Sequence, residues 1–229
     1  MQESIFSNRI VQTIIRLVTA LSFALFTAYQ VYLAVNIDTN RIGRLIGIAF
    51  YLILTVASFL DFSEKDSVWV AHSVLMVGGL ILLFTMRLLS IGTVFGNVSF
   101  ANPPSVLNAV VYILSQLGTL VLVAGYLMIR ADLTEKQMQR VIITLMTIAI
   151  VLFTLHFILE CVLMIKYRMN IEQNLKYTLI SRVLYYFGFA GTACCFMLPA
   201  PKRKRKEPKA GQFIYSDEED GDDEIDLVI

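Results

Sequence analysis

Six stretches of the chain alternate with short polar segments, and each is apolar enough to be read as a membrane-crossing helix. They cover about residues 12–36, 44–61, 67–89, 105–130, 139–165 and 177–199. An α-helix rises 1.5 Å per residue, so about 20 apolar residues cross the ~30 Å hydrocarbon core. The first run carries no charge over the 21 residues from Leu17 to Ile37. Within it Ala20, Ala24 and Ala28 recur every fourth residue, a spacing that lets another helix approach closely in lipid. That stripe is expected to be a packing face inside the bundle, or else a docking face toward a separate protein subunit.

The second run is the shortest, with 16 uncharged residues between Arg44 and Asp61, so a dip into the bilayer competes with a full crossing. The charged hexapeptide from Asp61 to Asp66 favours a tight hairpin between two antiparallel spans at a membrane surface. The third run opens with Trp69, an interfacial anchor, carries His72 near its start and Gly78-Gly79 at mid-depth, and ends at Arg87. Residues 90–104 are predicted to be a loop by their Gly, Asn and Pro content. Asn97-Val98-Ser99 within it fits a glycosylation sequon, a pattern that also arises often by chance.

Polar groups inside the later runs carry the functional signal. In the fourth, Asn108, Tyr112 and Gln116 are spaced by four, with Ser115 and Thr119 beside them, forming one stripe on one helix face. Such groups are costly against lipid, so the stripe should face the bundle interior or a wet cavity. In the fifth, His156 and Glu160 stack one turn apart. A carboxylate at that depth requires a partner, and Arg182 of the sixth run is the candidate. Counted from the ends of their helices, Glu160 lies about 8 Å deep and Arg182 about 10 Å deep. They are expected to meet.

Composition agrees with this frame: 57% hydrophobic residues, 16% charged and a mean hydropathy of +0.68 are far from a soluble domain. The net charge of +1 conceals a polar tail, basic over 202–209 and acidic over 217–226. The fold class expected is therefore all-α, a six-helix polytopic membrane bundle over residues 1–200 followed by a disordered cytoplasmic tail over 201–229. Cys161, Cys194 and Cys195 lie in or beside apolar runs, with neither disulfide nor zinc spacing. The N-terminus lacks the features of a cleaved signal, so the first run is read as a retained anchor.

Six spans place both termini on one side. Without the tail, Lys and Arg divide six against six between the two sides, and the basic block Lys202, Arg203, Lys204, Arg205 and Lys206 makes that side cytoplasmic, with the plasma membrane as the expected location. The block is also expected to bind anionic headgroups. Ser216 precedes an acidic run and resembles a kinase site, and the terminal segment containing Leu227 and Ile229 is a candidate strand for a partner's sheet edge.

In this orientation Glu160, Arg182, His156, Asn108, Tyr112, Gln116, Arg87 and Tyr186 are expected to form an outward-facing pocket between the third, fourth, fifth and sixth spans, with Gln30, Tyr51 and Tyr185 in the same outer half, while the inner half lacks such a concentration of polar groups. The pocket would bind or transport a small polar or anionic solute. The alternative is a membrane scaffold or regulatory subunit whose tail recruits a cytoplasmic partner. An enzyme is disfavoured: there is no HExxH, no GxSxG and no embedded aspartate pair. No metal, haem or other cofactor and no nucleic acid is expected. Six spans, the chain length and the alanine face resemble, in outline, the substrate-binding subunits of vitamin-uptake transporters, from which the charged tail departs.

Overall fold

The computed structural model describes residues 9–36, 41–63, 66–96, 98–130, 135–171 and 174–198. These form seven helices: α1 (Arg9–Asn36), α2 (Arg41–Leu60), α3 (Asp66–Leu89), α4 (Ile91–Gly96), α5 (Pro103–Arg130), α6 (Glu135–Lys166) and α7 (Leu175–Met197). All but α4 contain a segment long and apolar enough to cross a membrane. The protein is an integral membrane protein with six such spans. Large apolar side chains including Leu25, Leu52, Val74, Leu120 and Ile158 stand exposed on the outside of the helices, as a surface solvated by acyl chains requires.

Two expectations change. The second run forms a helix of 20 residues, because it begins at Arg41, ahead of the uncharged stretch by which its length was judged. The segment 90–104 is not wholly loop: α4 interrupts it, nucleated where the Ser90 carbonyl accepts from the backbone of Thr93 and Val94, both at 3.2 Å, and from the Thr93 hydroxyl at 2.7 Å. Asn97 lies outside the described residues.

The six long helices close into a ring in the order α1, α2, α3, α5, α6, α7 and back to α1. The α3/α5 seam is the least closely packed of the six, and α4 touches both its helices. We term the end where α1 starts and α7 finishes proximal, and the other distal. Between them the ring is filled by aromatic side chains: Phe23 meets Phe189 edge-on at 5.4 Å, Phe189 lies 5.1 Å from Phe153, and Phe26 meets Tyr51 at 4.7 Å. Most hydroxyls at these depths satisfy themselves on their own helix. Thr27, Thr55, Ser58, Thr119 and Thr192 each donate to the carbonyl four residues earlier, so they demand no partner from elsewhere.

The alanine stripe of α1 does not define one interface, since Ala20 is fully buried while Ala28 is exposed. Glycines mark the close approaches, one of them between α5 and α6. A Cβ at Gly118 would lie 2.9 Å from the Phe153 ring, and that ring is itself fully buried. Gly118→Ala should therefore cost about 1–3 kcal/mol through overpacking. Gly47→Ala, where a Cβ meets nothing within 4 Å, should be neutral or mildly stabilising. Unfolding of the two variants in detergent micelles checks the contrast.

Candidate functional site

The distal half of the ring encloses a cavity of about 360 Å³, within the range of small-ligand pockets. Four spans contribute its charged and hydrogen-bonding groups. Arg87 comes from the last turn of α3, where a cation complements the helix C-terminus. Asn108 and Tyr112 come from α5, His156 and Glu160 from α6, and Arg182 from α7.

Glu160 is buried between two partners. Its Oε1 lies 3.1 Å from Arg182 Nε, an ion pair by proximity without the alignment of a hydrogen bond, and its Oε2 lies 3.2 Å from His156 Nε2. The depths counted along the two helices thus do bring Glu160 and Arg182 together. On its other side the His156 ring places Nδ1 at 3.0 Å from the Val111 carbonyl of α5, and its face packs 5.5 Å from Tyr185. The carboxylate, the ring and the guanidinium therefore tie α5, α6 and α7 into one polar junction.

Arg87 is held differently. Its guanidinium donates to the hydroxyls of Tyr185 at 2.8 Å, Tyr51 at 3.2 Å and Ser115, and it sits 5.3 Å above the Tyr185 ring. Tyr112 donates its hydroxyl to the Arg87 carbonyl, which closes the α3 end over the cavity. Among the described residues no carboxylate lies within 4.0 Å of Arg87. At the mouth, the turn after α6 carries Arg168 (φ 56°) and Asn170 (φ 59°) in the left-handed region, and Asn170 donates to the Asn108 amide oxygen at 3.0 Å. Asparagine tolerates that backbone, so the turn can present its side chain over the opening. Next to it, Asn174 caps α7 by accepting from the Lys176 amide at 2.9 Å.

Of the eight pocket residues expected, six line the cavity and two do not. Gln116 is buried off the wall, and neither of its amide atoms finds a hydrogen-bond partner. Tyr186 points along the α6/α7 contact, where its ring stacks on Phe157 at 5.3 Å and its hydroxyl lies 3.2 Å from Thr154. Tyr51, Ser115 and Tyr185 take their place around Arg87. The tail residues Lys202, Arg203, Lys204, Arg205, Lys206, Ser216, Leu227 and Ile229 lie outside the described residues.

The proximal half corrects the expectation that polar groups gather only at one end. Asp61 does not simply face water at a turn. It accepts from Arg16 Nε of α1 at 3.0 Å and lies 3.9 Å from His72 Nε2, with both carboxylate and guanidinium largely buried. His72 places Nδ1 at 2.7 Å from the Ala57 carbonyl and Nε2 at 3.1 Å from the Tyr126 hydroxyl. A charged residue just past the end of an apolar run was the available signal for this cluster. Reading it required knowing that α1 lies beside α2.

Among the described residues no group of three or more His, Cys, Asp or Glu converges as metal ligands. In comparisons with protein-family models, curated proteins and solved structures, nothing matches this chain. The two polar clusters are the features of the bundle that bear on its function.

Proposed function

We propose that the bundle binds a small anionic solute, without catalysing a reaction on it, in the distal cavity between α3, α5, α6 and α7. The observation that carries this reading is a surplus of positive charge: two guanidiniums, Arg87 and Arg182, face a cavity whose wall holds one carboxylate, Glu160. Glu160 already engages Arg182, whereas Arg87 is held by neutral hydroxyls. An arginine fork grips a carboxylate or phosphate in two parallel hydrogen bonds, and such bonds strengthen where water is scarce. Asn108, Tyr112 and Asn170 supply neutral hydrogen-bonding groups at the mouth, suited to the remaining polar atoms of the solute.

The full chain in lipid nanodiscs, titrated with inorganic phosphate, sulfate, acetate and succinate while its unfolding is followed, tests the proposal. At a concentration of about 100 Kd, a bound anion should raise stability by about 2.7 kcal/mol. Arg87→Gln keeps hydrogen-bonding capacity toward the surrounding hydroxyls but removes the charge, and should weaken the response at least tenfold. If none of the four anions shifts unfolding, or if Arg87→Gln responds as the native chain does, the anion reading fails and the cluster is structural.

A further inference from the structure

A second cavity, of about 380 Å³, occupies the proximal half and plays no part in the anion reading. It runs from the Arg16–Asp61–His72 cluster inside the ring out to Val74 of α3 and Leu127 of α5, which are 56% and 54% exposed. Side chains exposed on the outer faces of spanning helices meet acyl chains. The cavity therefore opens sideways into the bilayer, through the same α3/α5 seam that packs least closely.

Its two ends differ in chemistry. At the inner end the charges cancel, because Arg16 and Asp61 pair at 3.0 Å. His72 adds no net charge when its Nδ1–H donates to the Ala57 carbonyl and its Nε2 accepts from the Tyr126 hydroxyl at 3.1 Å, nearer than the Asp61 carboxylate at 3.9 Å, a pattern the neutral ring satisfies at both nitrogens. Five guanidinium N–H groups and the lone pairs of two carboxylate oxygens exceed what one mutual contact uses, so the pair can also donate to and accept from a ligand hydroxyl. An anionic head would draw Arg16 away and leave Asp61 buried and unpaired, which is strongly unfavourable.

The remaining wall is apolar and follows α3 from Trp69 to Gly78. The nine steps along that stretch rise about 14 Å, close to half of the ~30 Å hydrocarbon core, so the cavity is about one leaflet deep. At Gly78 the wall is bare helix, with nothing within 4 Å of where a Cβ would stand. A slot one leaflet deep, closed by a neutral hydrogen-bonding end and open toward lipid, has the form of a bilayer-resident amphiphile. We propose that it holds a neutral single-chain lipid with a small hydroxyl-bearing head, of the monoacylglycerol class, taken laterally from the proximal leaflet.

The test uses the full chain in nanodiscs with a monoacylglycerol carrying a diazirine in its acyl chain, alongside a diazirine fatty acid and a diazirine sterol. The monoacylglycerol probe should label α3 and α5 around Val74, Gly78 and Leu127, and unlabelled monoolein should compete. Gly78→Leu projects a bulky side chain from a position whose Cβ has free space, and should cut labelling at least tenfold, while Arg87→Gln, at the other cavity, should leave it unchanged. Leu127→Trp, on the opposite wall, gives a second block should the first variant fold poorly. Undiminished labelling in the folded blocking variants, or equal or stronger labelling by the fatty acid or the sterol, would overturn the proposal.

Discussion

Arg182→Met should destabilise the bundle by about 3–5 kcal/mol, the range for removing one member of a buried ion pair. Glu160 is only 6% exposed, and its Oε1 lies 3.1 Å from the guanidinium. Without Arg182 the carboxylate must stay ionised with His156 alone, take up a proton, or draw water into the ring, and each of these is costly. The paired replacement Glu160→Leu with Arg182→Met removes both charges and should recover most of the loss. It should still fall short of the native chain by about 1–3 kcal/mol, because His156 Nε2 then loses its polar neighbour. Reversible unfolding in mixed micelles measures all three proteins. An Arg182→Met variant within 1 kcal/mol of the native chain would mean that water or another group already solvates Glu160, and the junction would lose its role in holding α5, α6 and α7 together.

How far these features can be read from the chain depends on whether they are local along one helix. The six spans are legible because length and apolarity act within a single segment. The meeting of Glu160 and Arg182 is legible too, since rise per residue fixes depth and the two helices are consecutive in the chain. The cage around Arg87 is legible only in part: counting along the helices puts Tyr51 and Tyr185 at the same end as Arg87, but their meeting there with Ser115 depends on the order of α2, α5 and α7 around the ring. The stripe on the fourth run shows the same limit on a smaller scale. Asn108 and Tyr112 reach the cavity, whereas Gln116, one further turn down, lies behind its wall and Thr119 bonds to its own helix. Spacing by four puts residues on one face without saying how far along that face the open space extends. Arg16, Asp61 and His72 went unrecognised for a related reason: charges near run ends ordinarily face water, and only the ring closure of α1 beside α2 and α3 beside α5 turns them inward.

The two histidines should differ by one proton. Each directs Nδ1 at a helix carbonyl, Ala57 for His72 and Val111 for His156, and a carbonyl only accepts, so each Nδ1 carries hydrogen. The difference lies at Nε2. At His72 the nearer group is the Tyr126 hydroxyl at 3.1 Å, which can donate, while the Asp61 carboxylate stands further off at 3.9 Å, so the neutral ring satisfies both nitrogens. His156 instead meets Glu160 Oε2 at 3.2 Å, and without a proton between them a ring lone pair would face a carboxylate. Both nitrogens of His156 therefore face acceptor oxygens, and the ring satisfies both contacts only by donating at each. In ¹⁵N spectra of histidine-labelled protein, assigned with His72→Asn and His156→Asn, His72 should show one protonated and one bare nitrogen, and His156 two protonated nitrogens. Under the proposed anion reading His156 belongs to the cavity wall, so His156→Asn should weaken the anion response in the same unfolding titration. A His156 with one bare nitrogen, together with an anion response unchanged in His156→Asn, would leave the Glu160 contact as a packing neighbour and put the cavity's surplus of charge on Arg87 and Arg182 alone.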